Sequence, residues 1–157
     1  MPIDDAEIKR AMSHFASGVT VVTTEHQGKP YGMTVASFAS VSLQPPLVLV
    51  CIEKSVKSHD AIRDAKKFGV SILSANQSEI SNLFASKSQE KFTGLTTLRG
   101  KLGIPLIAGS LCAIECSLHA QFDGGDHSIF VGEVRDMTIA DGAPLLYYRS
   151  AYHRIAG

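Results

Sequence analysis

One stretch near the C-terminus decides the fold: Cys112-Ala113-Ile114-Glu115-Cys116-Ser117-Leu118-His119-Ala120-Gln121-Phe122. Small or apolar side chains occupy every second position, and the positions between them are mostly polar. A period of two places alternate side chains on opposite faces, so this stretch predicts a half-buried β-strand. Asp123-Gly124-Gly125-Asp126 then predicts a hairpin turn, and residues 127–139 are expected to return as the partner strand.

Four further segments carry strand signals. Val and Thr are concentrated in residues 19–25, and residues 31–43 form a long extended segment that ends at Pro45-Pro46. The continuous apolar run 47–52 predicts a strand buried on both faces, and residues 68–73 predict another strand.

Short helices separate some of these strands. Asp4 followed by Glu7 is typical of a helix start, Ser58 is expected to cap a helix from His59 to about Lys67, and another helix is expected near residues 79–85. Residues 86–109 form a long polar connection. About six strands with two or three short helices predict a mainly β fold, an antiparallel barrel or sandwich.

Composition limits the class of protein. The chain has 157 residues, about one domain, with 15 basic and 15 acidic residues and 45% apolar residues. A net charge of zero argues against a nucleic-acid surface and leaves self-association plausible. There is no apolar run of the roughly 18 residues that span a bilayer, and the N-terminus lacks the features of a signal peptide. We therefore expect one domain over residues 1–157, located in the cytoplasm without a membrane partner.

The cysteines and histidines give no support to a metal site. In a regular strand, Cys112 and Cys116 would lie about 13 Å apart at roughly 3.3 Å per residue, too far for a disulfide or a shared metal. Buried structural thiols are the expected state. No G-x-G-x-x-G, G-x-S-x-G or Walker pattern appears in the sequence, which argues against a Rossmann dinucleotide site and against common hydrolases.

Three segments carry candidate chemistry, and each also has a simpler interpretation. Residues 34–42 have small side chains and hydroxyls beside which a flat ligand could lie, or they form a Ser/Thr-rich strand with one wet face. Residues 54–59 place hydroxyls and cations before a helix, which suits a phosphate but also describes an ordinary serine N-cap. His127 follows Gly125-Asp126 at a turn, where it could donate a hydrogen bond or be a surface residue without a role.

Taken together, these segments resemble the flavin reductase-like family, the FMN-binding split barrels. The similarity covers nearly the whole chain in order, in residues 15–24, 32–38, 41–50, 54–59, 69–73, 125–134 and 144–148. The resemblance implies an antiparallel, Greek-key-like split β-barrel with a few short flanking helices, and a homodimer whose flavin site borders the subunit interface.

The resemblance also implies site residues. Residues lying along the isoalloxazine ring would be Met33, Thr34, Val35, Ala36, Ser37 and Phe38. The segment that holds the ribityl phosphate would be Cys51, Ile52, Glu53, Lys54, Ser55, Ser58 and His59, with Ser55, Ser58 and His59 nearest to it. Residues that close over the flavin would be Phe84, Ala85, Lys91 and Phe92. Residues that face the nicotinamide nucleotide would be His127, Tyr148 and Tyr152.

The implied activity is that of an NAD(P)H:flavin oxidoreductase, which reduces FMN or FAD with NADH or NADPH and supplies reduced flavin to a separate monooxygenase. Such a reaction needs no metal and no catalytic side chain, because hydride passes directly between the cofactors when they are held roughly 3–3.5 Å apart. A flavin-binding electron-transfer or storage protein of the same fold is the alternative. A β-barrel subunit without a ligand is a third possibility.

Overall fold

Strands dominate the architecture, as the alternation predicts. The computed structural model describes residues 2–156, which form three α-helices and twelve β-strands. The helices are α1 (Asp5–Met12), α2 (Lys57–Ala65) and α3 (Ser78–Ala85). The strands are β1 (Ser17–Gly18), β2 (Thr20–His26), β3 (Lys29–Val35), β4 (Phe38–Leu43), β5 (Pro46–Glu53), β6 (Lys67–Ile72), β7 (Thr97–Leu98), β8 (Leu106–Ile107), β9 (Cys112–Gly124), β10 (His127–Ile139), β11 (Leu146–Tyr148) and β12 (Ala151–His153). The predicted mainly β, antiparallel fold is confirmed.

Seven of these strands form one sheet that curls into a split barrel. Their order is β3-β2-β6-β9-β10-β5-β4, and each neighbouring pair is antiparallel. The two edge strands, β3 and β4, are separated in the chain by Ala36 and Ser37. Because consecutive Cα atoms are about 3.8 Å apart, two opposite edges joined by so short a segment must meet at that corner. The barrel is therefore closed at residues 36–37 and open further along, between β3 and the end of β5.

In the β9–β10 hairpin, β10 has the predicted bounds, whereas β9 runs two residues further than predicted, to Gly124, and its burial differs from a simple alternation. Residues 113–116 are buried on both faces, whereas Phe122 is 56% exposed. The outer face of this part of β9 is covered by a loop, since the carboxylate of Glu115 accepts hydrogen bonds from the N–H groups of Leu102 and Ile104 over 3.1 and 2.8 Å.

Two strand predictions need correction. The extended segment 31–43 is two strands, because the chain turns at Ala36-Ser37 to join the two sheet edges. The run 47–52 lies within β5 but is not buried on both faces: its residues alternate, with Val48, Val50 and Ile52 in the core and the positions between them half-buried. The outer face of β5 therefore remains available beside the open part of the barrel.

The helices are near the predicted positions, and α2 and α3 lie against the barrel, whereas α1 has no buried residue. Asp4 caps α1 by accepting from the Ala6 N–H over 3.0 Å, as predicted. The predicted cap of α2 is wrong: the N-cap is Val56, Ser58 is the second helical residue, and Lys66 ends the helix in the left-handed conformation. Ile62 of α2 is fully buried in the core of the barrel, which fixes the helix to the sheet.

The polar connection 86–109 contains two short strands and buried residues that its composition does not predict. β7 and β8 pair within it, and Ile104 and Ile107 are almost fully buried. Cys116 is buried, as expected of a structural thiol, and burial together with Glu115 raises its pKa to about 12. Cys112 is half-buried. Among residues 2–156, the helices are too short and too polar for any of them to cross a membrane.

Candidate functional site

A groove of about 660 Å³ occupies the open part of the barrel. It lies between β3, the segment that joins β5 to α2, and the end of α3 with the loop that follows. Its volume is in the range of small-molecule sites. The predicted site residues that line it are Met33, Thr34, Glu53, Ser55, Ser58, Phe84, Ala85, Lys91 and Phe92.

The wall formed by β3 carries no side chain at the position where it packs against α3 and the following loop. A Cβ added to Gly32 would meet Phe84 Cε1 at 2.7 Å and Phe92 Cζ at 3.1 Å, so the glycine permits this close packing. Thr34 donates its hydroxyl to the carbonyl oxygen of Ser81 on α3 over 2.6 Å. That hydroxyl therefore orients the wall, and Met33 and the backbone are left to contact a ligand.

The corner of the barrel stands apart from the groove lining. Val35 is 4% exposed and packs in the core with the half-buried Phe38, whereas Ala36 and Ser37 are exposed. The hydroxyl of Ser37 donates to the carbonyl oxygen of Cys51 over 3.2 Å. These predicted ring contacts thus lie beside the groove rather than in its lining.

The first turn of α2 forms one end of the groove. Ser55, Val56, Lys57 and Ser58 line it. The N-cap Val56 has an apolar side chain that cannot accept a hydrogen bond, so the N–H groups of Lys57 and Ser58 have no side-chain cap, whereas the His59 N–H donates to the Val56 carbonyl oxygen over 3.1 Å. Uncapped N–H groups, two hydroxyls and a lysine together form a donor set that suits a phosphate.

The other predicted residues of this segment point elsewhere. Ile52 is fully buried in the core, and Cys51 lies on the outer face of β5, with its N–H donated to Ser37. The ammonium of Lys54 pairs with Asp123 near the end of β9. His59 is 6% exposed, and both of its ring nitrogens are hydrogen bonded inside the protein.

The end of α3 and the following loop form the opposite rim. The ammonium of Lys91 donates to the carbonyl oxygens of Gly32 and Phe84 over 3.3 and 3.0 Å. Burial lowers the pKa of Lys91. The rings of Phe84 and Phe92 meet edge to face with their centroids 5.1 Å apart. This rim is therefore rigidly attached to β3.

The three residues predicted to face the nicotinamide are separated by the fold. His127 lies directly opposite the groove residue Glu53 in the β10–β5 ladder, with its Nδ1 2.6 Å from Asp126 Oδ1. Tyr148 lies outside the groove lining, near His14. The hydroxyl of Tyr152 bonds Ser81 and Asn82 on α3, over 2.6 and 2.8 Å. The structure brings His127 to the edge of the groove and leaves the two tyrosines away from it.

The groove is positively charged. Among the described residues that line it are four lysines, Lys29, Lys57, Lys87 and Lys91, against one glutamate, Glu53. Lys29, Tyr31 and Lys87 also line the groove and were not predicted from the sequence. No spacing in the sequence links the β2–β3 hairpin with the loop after α3. The surplus of cations favours an anionic ligand.

The split barrel and its cationic groove define the class of protein, a small barrel with a groove beside its open seam that suits a nucleotide-like ligand. Residues 12–156 match the family described as "Flavin reductase like domain". The chain therefore belongs to this family, and the resemblance seen in the sequence is confirmed.

Individual relatives agree with the family. The reductase component of a 4-nitrophenol 4-monooxygenase/4-nitrocatechol 2-monooxygenase from Rhodococcus opacus is 38% identical over 96% of this chain and 81% of its own length. The structure of nitrilotriacetate monooxygenase component B from Mycobacterium thermoresistibile is 40% identical, with a TM-score of 0.94 over 98% of this chain and 87% of that chain.

A further solved structure contains ligands. It is an NADH:FAD oxidoreductase from Streptomyces globisporus in complex with NAD and FAD fragments, 39% identical, with a TM-score of 0.93 over 98% of this chain and 93% of that chain.

Proposed function

We propose that the protein is an NAD(P)H:flavin oxidoreductase that binds FMN or FAD in the groove and supplies reduced flavin to a separate monooxygenase. The observation that carries the proposal is the groove itself, where the uncapped first turn of α2, with Ser55, Lys57 and Ser58, faces the same space as Met33. A site for an anionic group and a wall for an apolar ring are both features that a flavin nucleotide requires.

The residues of the chain bind and orient, and the cofactors supply the chemistry. A bound flavin would supply the ring that accepts a hydride, and NAD(P)H and a proton would be consumed as the flavin becomes reduced. The first turn of α2 would hold the phosphate through its N–H groups, while Lys91, Phe84 and Phe92 would keep water from one side of the ligand. Some predicted residues lie outside the groove lining and would contact the flavin through their backbone or from beside the groove. They are Val35, Ala36, Ser37, Phe38, Cys51 and Ile52.

The nicotinamide nucleotide would approach from the side of His127. The His127 side chain is 41% exposed, and the residue lies opposite Glu53 at the edge of the groove. Tyr148 and Tyr152 have a different role in this proposal, since Tyr152 supports α3 from behind and Tyr148 lies beyond the groove lining.

We further propose that the protein is a homodimer. Val41 and Leu43 on the edge strand β4 are 48% and 90% exposed. An apolar edge strand is a surface that proteins normally cover, and a second copy of the chain would cover it. Sedimentation velocity tests this proposal: Leu43→Glu should shift the protein from dimer to monomer, and a wild-type monomer at micromolar concentration would contradict it.

We also propose a cytoplasmic location. The three cysteines are free thiols in the structure, as is usual in a reducing compartment. Cell fractionation that recovers the protein with periplasmic or secreted material would contradict this assignment.

Turnover decides the main proposal. The purified protein is mixed with NADH or NADPH and with FMN or FAD, and the nicotinamide absorbance is followed in all four pairs. We expect oxidation of the nicotinamide with at least one pair. Tightly bound flavin without nicotinamide oxidation would instead support an electron-transfer or storage protein. Colourless protein that leaves flavin fluorescence unchanged would contradict flavin binding altogether.

A further inference from the structure

A chain of hydrogen-bonded polar side chains, buried at its centre, connects α2 to the β9–β10 hairpin. His59 Nδ1 lies 2.8 Å from Asp60 Oδ1, and His59 Nε2 lies 2.7 Å from Ser128 Oγ. Gln121 Nε2 lies 3.4 Å from the same hydroxyl. His59 and Ser128 are 6% and 3% exposed, so solvent does not replace the bond between them, whereas Asp60 and Gln121 at the two ends of the chain are exposed.

The donors and acceptors of this chain fit one arrangement of protons. An ionised Asp60 carboxylate only accepts, so His59 Nδ1 donates to it. In the neutral imidazole Nε2 then accepts from the Ser128 hydroxyl, whose oxygen accepts in turn from the Gln121 amide. Each group has a partner, and the direction is the same along the whole chain.

Serine, histidine and aspartate stand here in the same order as in a hydrolytic triad, but hydrolysis does not fit the geometry. A nucleophilic hydroxyl must reach a substrate carbonyl. The Ser128 hydroxyl belongs to a residue 3% exposed, inside the barrel beside Phe130, whose ring lies 5.2 Å from that of His59. These hydrogen bonds therefore hold the side chains in position and do not support acyl transfer.

We propose that Ser128 and His59 are positioning residues that hold the first turn of α2 for the phosphate of the flavin. This inference rests on the proposed function. His59 follows Ser58, a groove residue, and the N-cap Val56 offers no polar side chain that could fix the turn. The bond to Ser128 instead fixes the turn to β10. Ser128 also follows His127, so one strand sets both the phosphate end and the nicotinamide edge of the site.

The test compares FMN with riboflavin, which lacks the phosphate, by fluorescence titration of the full chain. Ser128→Ala should weaken FMN binding by about five- to tenfold, the usual effect of losing a buried hydrogen bond, and leave riboflavin binding within about twofold. Ser128→Thr keeps the hydroxyl and should restore the preference for FMN. Ser128→Cys keeps the volume with a weak donor and carries the same expectation as alanine if Ser128→Ala does not fold.

A matched control is Ser71→Ala. Ser71 is also a fully buried strand serine, but its hydroxyl accepts from the Ile107 N–H, away from α2. Ser71→Ala should change the ratio of the FMN affinity to the riboflavin affinity by less than about twofold, which is within the range of an indirect effect. In the protein without flavin, Ser128→Ala should also move the amide resonances of Lys57 and Ser58, and Ser71→Ala should not.

Each other outcome is informative. Equal losses for FMN and riboflavin in Ser128→Ala, or unmoved Lys57 and Ser58 amides, would overturn the positioning role while the reductase function stands. A wild-type protein that binds FMN no more tightly than riboflavin would overturn it as well. A wild-type protein that binds neither would instead overturn the proposed function, and with it the inference that depends on it.

Discussion

Lys91 donates from its ammonium to the carbonyl oxygen of Gly32, 3.3 Å away on β3, and so connects the loop after α3 to the opposite wall of the groove. The same ammonium donates to the carbonyl oxygen of Phe84 at the end of α3. A positive charge at a helix C-terminus is favourable, so one side chain stabilises both the helix end and the groove rim. The shape of the groove therefore depends on this lysine.

Replacing Lys91 with methionine should loosen the rim while keeping a similar apolar stem. We expect the affinity for FMN and for riboflavin to fall together by about three- to tenfold, since the lost bonds orient the wall rather than the phosphate. Lys67→Met is the matched control, because Lys67 makes a comparable 2.9 Å bond to the Leu102 carbonyl outside the groove. Flavin titration of both variants tests this. If Lys67→Met lowered the flavin affinity as much as Lys91→Met does, the result would count against the role of Lys91.

Gly32→Ala should disturb the packing behind β3. The new Cβ would stand 2.7 Å from Phe84, which is 1% exposed and has little room to move. Overpacking of this kind costs about 1–3 kcal/mol of unfolding free energy, and flavin affinity should fall with it. Urea unfolding measures the loss. Gly18→Ala, where a Cβ would meet nothing within 4 Å, should leave stability almost unchanged.

His127→Ala should raise the KM for the nicotinamide nucleotide and leave flavin affinity nearly intact. With Nδ1 donating to Asp126, His127 Nε2 is free to accept a hydrogen bond from a carboxamide. One such bond is worth about 1 kcal/mol, roughly a fivefold change in KM. Steady-state kinetics with His119→Ala, an exposed histidine elsewhere on β9, as the comparison would show the effect. Collapse of flavin binding in His127→Ala would place this residue in the flavin site instead.

Glu25→Gln should destabilise the protein in a pH-dependent way. Arg99 makes two bonds to the Glu25 carboxylate, over 2.9 and 3.0 Å, and the hydrogen bond from Arg99 holds the pKa of Glu25 below its ordinary value of 4.5. A lowered carboxylate pKa adds stability that is present above pH 4.5 and is lost as the pH falls through the lower, folded value.

The pair is partly exposed, so the expected loss at neutral pH is about 0.5–1 kcal/mol. Denaturant unfolding of wild type and Glu25→Gln at neutral and acidic pH measures it. Glu133→Gln serves as the control, because Glu133 meets Arg135 through a single 3.4 Å contact. A difference between wild type and Glu25→Gln that stays constant into acid would show that the carboxylate charge is not its source.

The fold could be predicted wherever a local period determines the structure. The bounds of β10 agree because the alternation in β9 and the turn at Gly125 are both local signals. The break at Ala36-Ser37 could not be predicted, because it arises when the sheet curls and its edges meet. The alternation in β5 was hidden in a similar way, since its outer face is apolar in sequence and only half-buried in the fold.

The site could be predicted in part. Ser55, Ser58, Phe84 and Lys91 were named from the family resemblance, and the fold brings them to one groove. The positions of the other predicted residues depend on burial and on long-range contacts, which the sequence does not show. The chemistry of an imidazole does not reveal that His59 bonds Ser128 across the barrel, because that contact joins residues 69 positions apart. Lys29 was missed for the same reason, since the fold alone brings its hairpin to the groove.

The location of the flavin tests the central claim most directly. A crystal structure of the protein grown with FMN is predicted to show the ring against Met33 and the phosphate within hydrogen-bond distance of the first-turn amides of α2, beside Ser55 and Ser58. Flavin bound elsewhere on the molecule, with the groove closed by the protein's own side chains, would contradict this account.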